Sequence, residues 1–204
     1  HTHQSLVGSD GRNAFYDPDD RLFLSLLAKG YIAGLMAHAR EIIALCAQWV
    51  NSYKRLVPGY EAPVYITWAR HNRSNMIRVP MYHPGKEGAT RLEFRAPDAA
   101  CNPYLAFSVM LHAGLEGVEQ GYELPEPAER DVYAMSPEER RDLGIEELPG
   151  SLNEAIAEVQ GSDLVRRALG KHLFDKFVQN KLIEWDAYRC QVHQYELDRY
   201  YTTL

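Results

Sequence analysis

The sequence is poor in cysteine and has no long uninterrupted apolar segment. Its three cysteines, Cys46, Cys101 and Cys190, are far apart and odd in number, so they predict no disulfide framework. Free thiols favour a reducing compartment. No apolar stretch approaches the roughly 20 residues that span a bilayer, and no secretory signal pattern is visible. These absences predict a cytoplasmic protein that does not enter membranes.

An excess of basic residues is also missing. The 204 residues contain 22 Lys and Arg against 28 Asp and Glu, a formal net charge of −6. This balance argues against a nucleic-acid partner, because the phosphate backbone favours basic proteins. The charge is uneven, since residues 54–95 hold eight basic residues and three glutamates. This basic island indicates either a site for a small, highly charged anion or a chance cluster on a solvated face.

The first half of the chain mixes one helical region with short strands. After a turn-rich segment, Asp19 or Asp20 is a candidate N-cap for apolar residues spaced three, four and seven apart as far as Cys46. We expect a break near Ala39, and close packing at Gly30 and Gly34. Residues 51–63 read as a loop. Three strand-like runs follow, at 64–69, 75–79 and 90–95.

The second half reads as helical. Asn102 and Pro103 predict the start of a helix that ends at Gly121, and residues 122–135 form an acidic linker. Ser136 and Ser151 each begin a capping-box pattern. A helix from about Ser162 leads to a long last helix, and its predicted apolar stripe is Phe174, Phe177, Leu182, Trp185, Tyr188 and Val192. The predicted fold class is α+β, with a few antiparallel strands surrounded by helices and a helix-rich C-terminal half.

The third strand carries the strongest chemical signal. Arg91, Glu93 and Arg95 alternate, so their side chains share one face of the strand. Arginine suits planar, bidentate recognition of carboxylates and phosphates. A solvated edge strand has the same pattern, and Glu93 is either a counter-ion of the arginines or a ligand of a hard divalent cation.

Two further features are weaker when taken alone. His1 and His3 are two residues apart, so on a strand their side chains lie on the same side and reach one site. Such a pair is also common by chance. Glu61 lies in a loop after Lys54 and Arg55, which suits a general base or a simple salt-bridge partner.

Four longer motifs occur together in order. They are H-T-H-Q-S-L at 1–6, N-S-Y-K-R-L-V-P-G-Y-E-A-P at 51–63, N-R-S-N-M-I-R-V-P at 72–80 and R-L-E-F-R-A-P-D-A-A-C-N-P-Y-L at 91–105. They resemble the metal, glutamate and ATP motifs of the glutamine synthetase family, and the resemblance extends over essentially the whole chain. The loop at 82–88 differs in length from the best-known pattern of that family.

The resemblance implies a role for individual residues. The implied catalytic residues are Glu61, which would deprotonate bound ammonium, and Arg73. The implied glutamate-binding residues are Arg55, Glu61, Arg73 and Arg95. The implied ATP-binding residues are His3, Ser5, Arg73, Arg78 and Lys86. The implied metal ligands are His1 and Glu93, and Tyr133 occupies the position that some relatives modify by adenylylation.

The resemblance also implies a reaction, a cofactor and an assembly. The reaction is the ATP-dependent ligation of ammonia to the side-chain carboxylate of L-glutamate, with Mg²⁺ or Mn²⁺ as cofactor, in a dodecamer of two hexameric rings. A ligase for a polyamine or ethanolamine is the alternative, and an inactive structural relative is a third possibility. We expect residues 1–204 to be the C-terminal part of the catalytic domain, without the N-terminal domain and the upstream strands, and to be inactive alone.

Overall fold

The computed structural model describes residues 1–60, 62–72 and 74–203, and it has the predicted α+β architecture. The strands are β1 Thr2–Gln4, β2 Trp68–Ala69, β3 Ile77–Arg78 and β4 Leu92–Phe94. The helices are α1 Leu26–Ala37, α2 Ala39–Cys46, α3 Val50–Arg55, α4 Pro103–Glu119, α5 Pro137–Asp142, α6 Leu152–Gly161, α7 Asp163–Arg189 and α8 Gln194–Tyr200. Short 3₁₀ helices cover Glu87–Ala89 and Val132–Ala134.

The four strands form one sheet in the order β1-β4-β3-β2. The β1–β4 and β3–β4 pairs are antiparallel, as predicted, whereas β2 and β3 pair in parallel. Each strand is shorter than its sequence pattern, because only two or three residues of each run pair with a neighbour. The register places His3 and Arg78 on either side of Glu93, so that β4 holds the centre of a charged row.

The first helical region is divided at His38, next to the predicted break, and it begins later than predicted. Ser25, not Asp19 or Asp20, is the N-cap of α1, since its hydroxyl accepts a hydrogen bond from the Ala28 amide. Asp20 instead stabilises the preceding turn, where its carboxylate accepts hydrogen bonds from the Leu22 and Leu24 amides. The aspartates are therefore turn residues here.

Helices α1 and α4 pack against each other through glycines. A Cβ atom on Gly34 would lie 2.1 Å from the Ala113 carbonyl oxygen, and one on Gly117 would lie 2.2 Å from the Gly30 carbonyl oxygen. Side chains of any size are therefore excluded at this crossing. The predicted close approach at Gly30 and Gly34 is confirmed.

The segment predicted as a loop at 51–63 begins as a helix. Helix α3 covers Val50–Arg55, and Lys54 and Arg55 lie in its last turn, where cations are favoured by the helix dipole. The Pro58-Gly59 turn follows outside the helix, with Gly59 at a φ of 89°. The sequence interpretation was wrong for α3, because polar residues beside a proline turn hid a two-turn helix.

The helices of the second half begin where their caps predict. Asn102 caps α4, and Ser136 and Glu139 form a reciprocal capping box at α5. At α6, Ser151 accepts a hydrogen bond from the Glu154 amide, but the Glu154 carboxylate accepts from the Gly150 amide instead of closing the box.

The predicted apolar stripe of the last helix is buried only in part. Phe174 and Phe177 join the core, whereas Leu182 and Val192 are exposed. Helix α7 also contains Gly170 at a φ of 71° and a ψ of 157°, so it consists of two helical segments. No helix in the described part of the chain is both long enough and apolar enough to cross a bilayer.

Candidate active site

The site is centred on Glu93, whose carboxylate is buried at the middle of the sheet. Its Oε1 lies 2.7 Å from His1 Nδ1 and 3.9 Å from Arg95 Nε, and its Oε2 lies 3.0 Å from Arg78 Nε. The side chain of Glu93 is only 7% exposed. A buried carboxylate is stable only when cations and donors compensate its charge, and three surround this one.

Arg95 is the most buried cation of the site. Its side chain is 8% exposed, and Nη1 donates to the Asn75 carbonyl at 3.4 Å. Arg55 extends from α3 to the backbone that follows β4. Its Nη2 donates to the Arg95 and Ala96 carbonyls at 3.1 and 3.0 Å. The structure therefore links Arg55 and Arg95, two residues predicted to hold one substrate.

Arg55 also carries an unused donor. Its Nη1 is buried and has no hydrogen-bond partner among the described residues. Burial lowers the pKa of the Arg55 guanidinium, and the carboxylate of Asp98 offsets part of that effect. A buried, unpaired guanidinium nitrogen is costly unless an anion binds to it.

His3 lies directly opposite Glu93 on β1, and its Nδ1 accepts a hydrogen bond from Arg91 Nε at 3.2 Å. Arg91 was recognised in the alternating strand but received no role of its own. The contact with His3 adds it to the site, and the alternation of Arg91, Glu93 and Arg95 was the signal that could have assigned it.

Glu93 and Arg78 of the charged row face a cavity of about 740 Å³, here called the central cavity. Besides His1, Arg78, Glu93 and Arg95, its lining residues are Gly59, Tyr60, Asn72, Ser74, Asp131 and Tyr133. The last two come from the segment predicted as a linker. Nothing in the local sequence of Asp131 marks it as a site residue.

Other predicted residues lie around neighbouring cavities. Ser5 and His3 border one of about 570 Å³ beside β1, together with His1. Lys86 and Arg91 border another of about 280 Å³. The predicted ATP contacts are thus divided between these cavities, and Arg91, which borders the smaller one, contacts His3 on the larger one.

Glu61 and Arg73, the two predicted catalytic residues, lie outside the described residues. Their described neighbours Tyr60, Asn72 and Ser74 line the central cavity. The roles of Glu61 and Arg73 remain predictions from the sequence.

Tyr133 lies at the edge of the central cavity, with its hydroxyl already engaged. The hydroxyl donates a hydrogen bond of 2.7 Å to the Ala62 carbonyl, and the ring packs 5.6 Å from that of Tyr65. Burial raises the pKa of Tyr133. Modification of this hydroxyl stays a prediction, and it would require the bond to Ala62 to break.

The donors for a divalent cation are incomplete in the described residues. His1 and Glu93 supply an imidazole nitrogen and a carboxylate, which suit Mn²⁺ and Mg²⁺. The buried Glu93 Oε2 has no hydrogen bond of good geometry among the described residues. This oxygen is therefore available to bind a metal ion. No group of three or more His, Cys, Asp or Glu side chains that could hold a metal occurs within 1–60, 62–72 and 74–203.

Known proteins are similar to this chain over almost its whole length. The family model for the glutamine synthetase catalytic domain matches residues 1–200. A glutamine synthetase of Mycolicibacterium smegmatis is 54% identical over 200 residues, which cover 98% of this chain. One of Methanosarcina mazei is 50% identical over all 204 residues. The chain spans 45% of the length of each relative.

Solved structures show the same fold. A structure described as a GmaS/ADP complex superposes with a TM-score of 0.85 at 32% identity, covering 98% of this chain and 45% of the other. GmaS without ligand gives a TM-score of 0.82 at 33% identity, covering 97% and 43%. A catalytic-domain match over almost the entire chain, with relatives at half identity, places the chain in the glutamine synthetase family.

Proposed function

We propose that the full-length protein joins ammonia to the side-chain carboxylate of L-glutamate, with ATP as co-substrate, to give L-glutamine, ADP and phosphate. The observation that carries this proposal is the row of Arg78, Glu93 and His3 across the sheet, with His1 and Arg95 on the same carboxylate. It combines a buried carboxylate with an excess of cationic and imidazole groups beside a cavity.

The chemistry requires such an excess of positive charge. A carboxylate is a poor electrophile, so ATP first converts it to an acyl phosphate, γ-glutamyl phosphate. During the transfer, negative charge is spread over the oxygens of the phosphoryl group. Arginines already held in position stabilise this charge in the transition state. Arg78 is one arginine that we assign to this task, beside Arg73, because it contacts Glu93 from β3 while its side chain is still 35% exposed.

Arg55 and Arg95 are the residues that we assign to glutamate. Arg55 is held to the backbone carbonyls of Arg95 and Ala96, directly after β4, so its guanidinium group lies beside the backbone of Arg95. The buried Nη1 of Arg55 supplies a donor for a substrate carboxylate. This assignment leaves Arg78 on the phosphate side and Arg95 between the two substrates.

The nucleotide would bind along the charged row, from His3 on β1 across to Arg78 on β3. His3, Ser5, Arg78 and Lys86 are the proposed contacts, and the hydrogen bond to His3 adds Arg91. The related GmaS structure is described as an ADP complex, which supports nucleotide binding by this fold.

Residues His1 and Glu93 would hold Mg²⁺ or Mn²⁺. The metal supplies charge neutralisation for the phosphates. The two cationic neighbours of Glu93, Arg78 and Arg95, contact its carboxylate and orient it for that purpose. We assign the remaining ligands to the part of the protein that precedes residue 1 in the relatives.

Glu61 and Arg73 complete the proposed mechanism from their sequence motifs alone. Glu61 would attract NH₄⁺ and take one proton, which gives nitrogen the lone pair that attacks the acyl phosphate. Arg73 would bind the phosphoryl group during transfer. A closed loop over the site would keep water from the intermediate.

We further propose that residues 1–204 form the C-terminal part of the catalytic domain of a cytoplasmic dodecamer. A part of a larger assembly exposes apolar side chains that would be covered by the rest of it. Tyr104 and Phe107 on the outer face of α4 are such side chains, because they are 85% and 55% exposed. Light scattering of the full-length protein tests the assembly, and a monomer would contradict it.

The test of the reaction is ADP release by the full-length protein with glutamate and different amines. We expect ammonium to support turnover, with a requirement for Mg²⁺ or Mn²⁺ that EDTA removes. Turnover with putrescine or ethanolamine but not ammonium would replace the proposed amine. No glutamate-dependent ADP release with any amine would identify an inactive relative.

A further inference from the structure

Phe23 has a backbone conformation that phenylalanine seldom adopts. Its φ is 59°, and it is the only non-glycine residue with a positive φ in the described ranges 1–60, 62–72 and 74–203. The left-handed region is sterically unfavourable for bulky side chains. Such strain persists only where the surroundings enforce it, and it is concentrated at functional sites.

The turn around Phe23 is stabilised by the backbone carbonyl and by the side chain of Asp20. The Phe23 amide donates to the Asp20 carbonyl at 2.9 Å, and the Asp20 carboxylate accepts from the Leu22 and Leu24 amides. Lys29 forms an ion pair with the same carboxylate. These bonds hold the turn in place and offset the strain at Phe23.

The ring of Phe23 belongs to a cluster with Tyr16 and Tyr82, here called the aromatic cluster. Phe23 lies parallel to Tyr16 at a centroid distance of 6.4 Å and 4.6 Å from Tyr82, and Tyr16 lies 5.1 Å from Tyr82. Aromatic pairs at such distances attract each other beyond simple burial. The cluster joins a segment near the N-terminus to the loop at 82–88.

That loop is also organised by Tyr82. The Tyr82 hydroxyl donates to Glu87 Oε1 at 2.8 Å and accepts from the Gly85 amide at 3.3 Å. Hydrogen bonds with Tyr16 and then Glu87 raise the pKa of Tyr82 to about 12. Lys86 lies between these contacts, and its own amide donates to the His83 carbonyl at 3.0 Å.

A second attachment fixes the end of the loop. Asn13 Nδ2 donates to the Gly88 and Thr90 carbonyls at 3.2 and 2.7 Å. Arg91 then donates from Nη1 to the Ala89 carbonyl at 2.9 Å. The loop therefore has a defined position relative to the row of charged residues.

A cavity of about 280 Å³ lies between the aromatic cluster and the loop. Phe23, Tyr82, Lys86, Thr90 and Arg91 are among the residues that line it. The Thr90 hydroxyl oxygen is buried and has no hydrogen-bond partner in the described part of the chain. Phe23 and Lys86 therefore border the same space.

We propose that the aromatic cluster is a positioning device that holds Lys86 toward the nucleotide, so that Phe23 sets the affinity for ATP although it lies far from Lys86 in the sequence. The inference rests on the proposed function for the role of Lys86. It goes beyond that function by assigning a purpose to the strained turn. Phe23 acts through the loop and is a positioning residue.

The test is Phe23→Gly in the full-length protein. Glycine adopts a φ of 59° without strain, so the backbone is retained while the ring is lost. We expect the Kd for ADP, measured by calorimetry, and the KM for ATP to rise about fivefold to tenfold, the effect of one lost aromatic pair. The KM for glutamate and the Tm should stay unchanged. A fall in Tm with unchanged nucleotide binding would reduce the cluster to a structural role and overturn the proposal.

Two companion variants make the result specific. Phe23→Tyr keeps the ring and should restore wild-type affinity, whatever the folding behaviour of Phe23→Gly. In a Lys86→Ala background, Phe23→Gly should add nothing, because the ring acts through Lys86. Additive effects would overturn the proposal. A wild-type protein that binds no ADP would instead contradict the proposed function, and the two failures are therefore distinguishable.

Discussion

Two regions of the molecule differ in what holds them together. At the α1–α4 crossing, backbone meets backbone, and Gly34 and Gly117 leave no room for a side chain. In the charged row across the sheet, Arg78 contacts Glu93, and Arg95 contacts the same carboxylate. Neutral side chains would pack more easily at these positions. Buried charge is weak evidence for stability. The helix crossing therefore serves folding, while the charged row serves chemistry.

The largest expected effect tests the charged row. Glu93→Gln keeps the shape of the side chain but removes the negative charge that contacts His1, Arg78 and Arg95. We expect turnover of the full-length protein to fall about 10²- to 10³-fold, comparable to the loss of one preorganised electrostatic group.

A matched control is Glu126→Gln, which neutralises an exposed glutamate paired with Arg21 at 3.1 Å. Exposed pairs contribute little, so its turnover should be unchanged. If Glu93→Gln retained activity and lost only stability, the charged row would be structural and the contrast with the helix crossing would disappear.

The next effect tests the helix crossing. Gly117→Val places side-chain atoms where a Cβ already lies 2.2 Å from the Gly30 carbonyl oxygen and 2.6 Å from Gly34 Cα. We expect the free energy of unfolding, measured with urea, to fall by about 3 kcal/mol, since overpacking forces backbone shifts. The control Gly161→Ala lies in α6 with open space around its Cβ, and it should be neutral or slightly stabilising. Equal tolerance of both substitutions would show that the helices separate at no cost.

A smaller effect separates substrate binding from folding within the charged row. Arg95→Lys retains the charge but loses the planar guanidinium that contacts Glu93 and the Asn75 carbonyl. We expect the KM for glutamate to rise about tenfold, because bidentate recognition of a carboxylate is lost. Steady-state kinetics with varied glutamate provide the measurement, and Arg21→Lys on the surface is the control. An unchanged KM would remove Arg95 from the glutamate site.

The sequence predicted the charged row better than the strands that carry it. Alternation predicted Arg91, Glu93 and Arg95 on one face, and the family resemblance grouped His1 with Glu93 as metal ligands. The contact of Arg78 with the same carboxylate was found only in the structure. The parallel pairing of β2 with β3 was missed, because two paired residues leave no periodic pattern. Helix caps at Asn102 and Ser136 were local and readable from the sequence.

Other features depended on distant partners. Asp131 and Tyr133 enter the cavity from a segment whose composition indicates only a linker. The left-handed Phe23 has no sequence signal, since a glycine or asparagine would be expected at such a φ. Exposure of Leu182 and Val192 contradicts their apolar spacing, because helical periodicity shows a face but not its partner.

The smallest effect tests whether charge also stabilises the helical region. Glu41 accepts hydrogen bonds from His38, at 2.9 Å, and from Ser162, and Arg167 adds a favourable charge. Burial is the largest single influence and raises the pKa of Glu41, but these partners together lower it below its usual value. A lowered carboxyl pKa stabilises the fold above the unfolded-state pKa, about 4.3, and this contribution is lost as the pH falls through the folded-state value.

Glu41→Gln should therefore lower the free energy of unfolding by about 1 kcal/mol at pH 7, the typical value of one hydrogen bond. The difference from the wild type should shrink as the pH falls below about 4.3, where the wild-type carboxylate also takes a proton. Urea unfolding from pH 7 to pH 3 provides the measurement, and the exposed Glu138 serves as the control through Glu138→Gln. A pH-independent difference would mean that packing, not charge, gives Glu41 its role. The helical region would then contrast with the charged row even more sharply, since none of its stability would depend on an ionised group at this position.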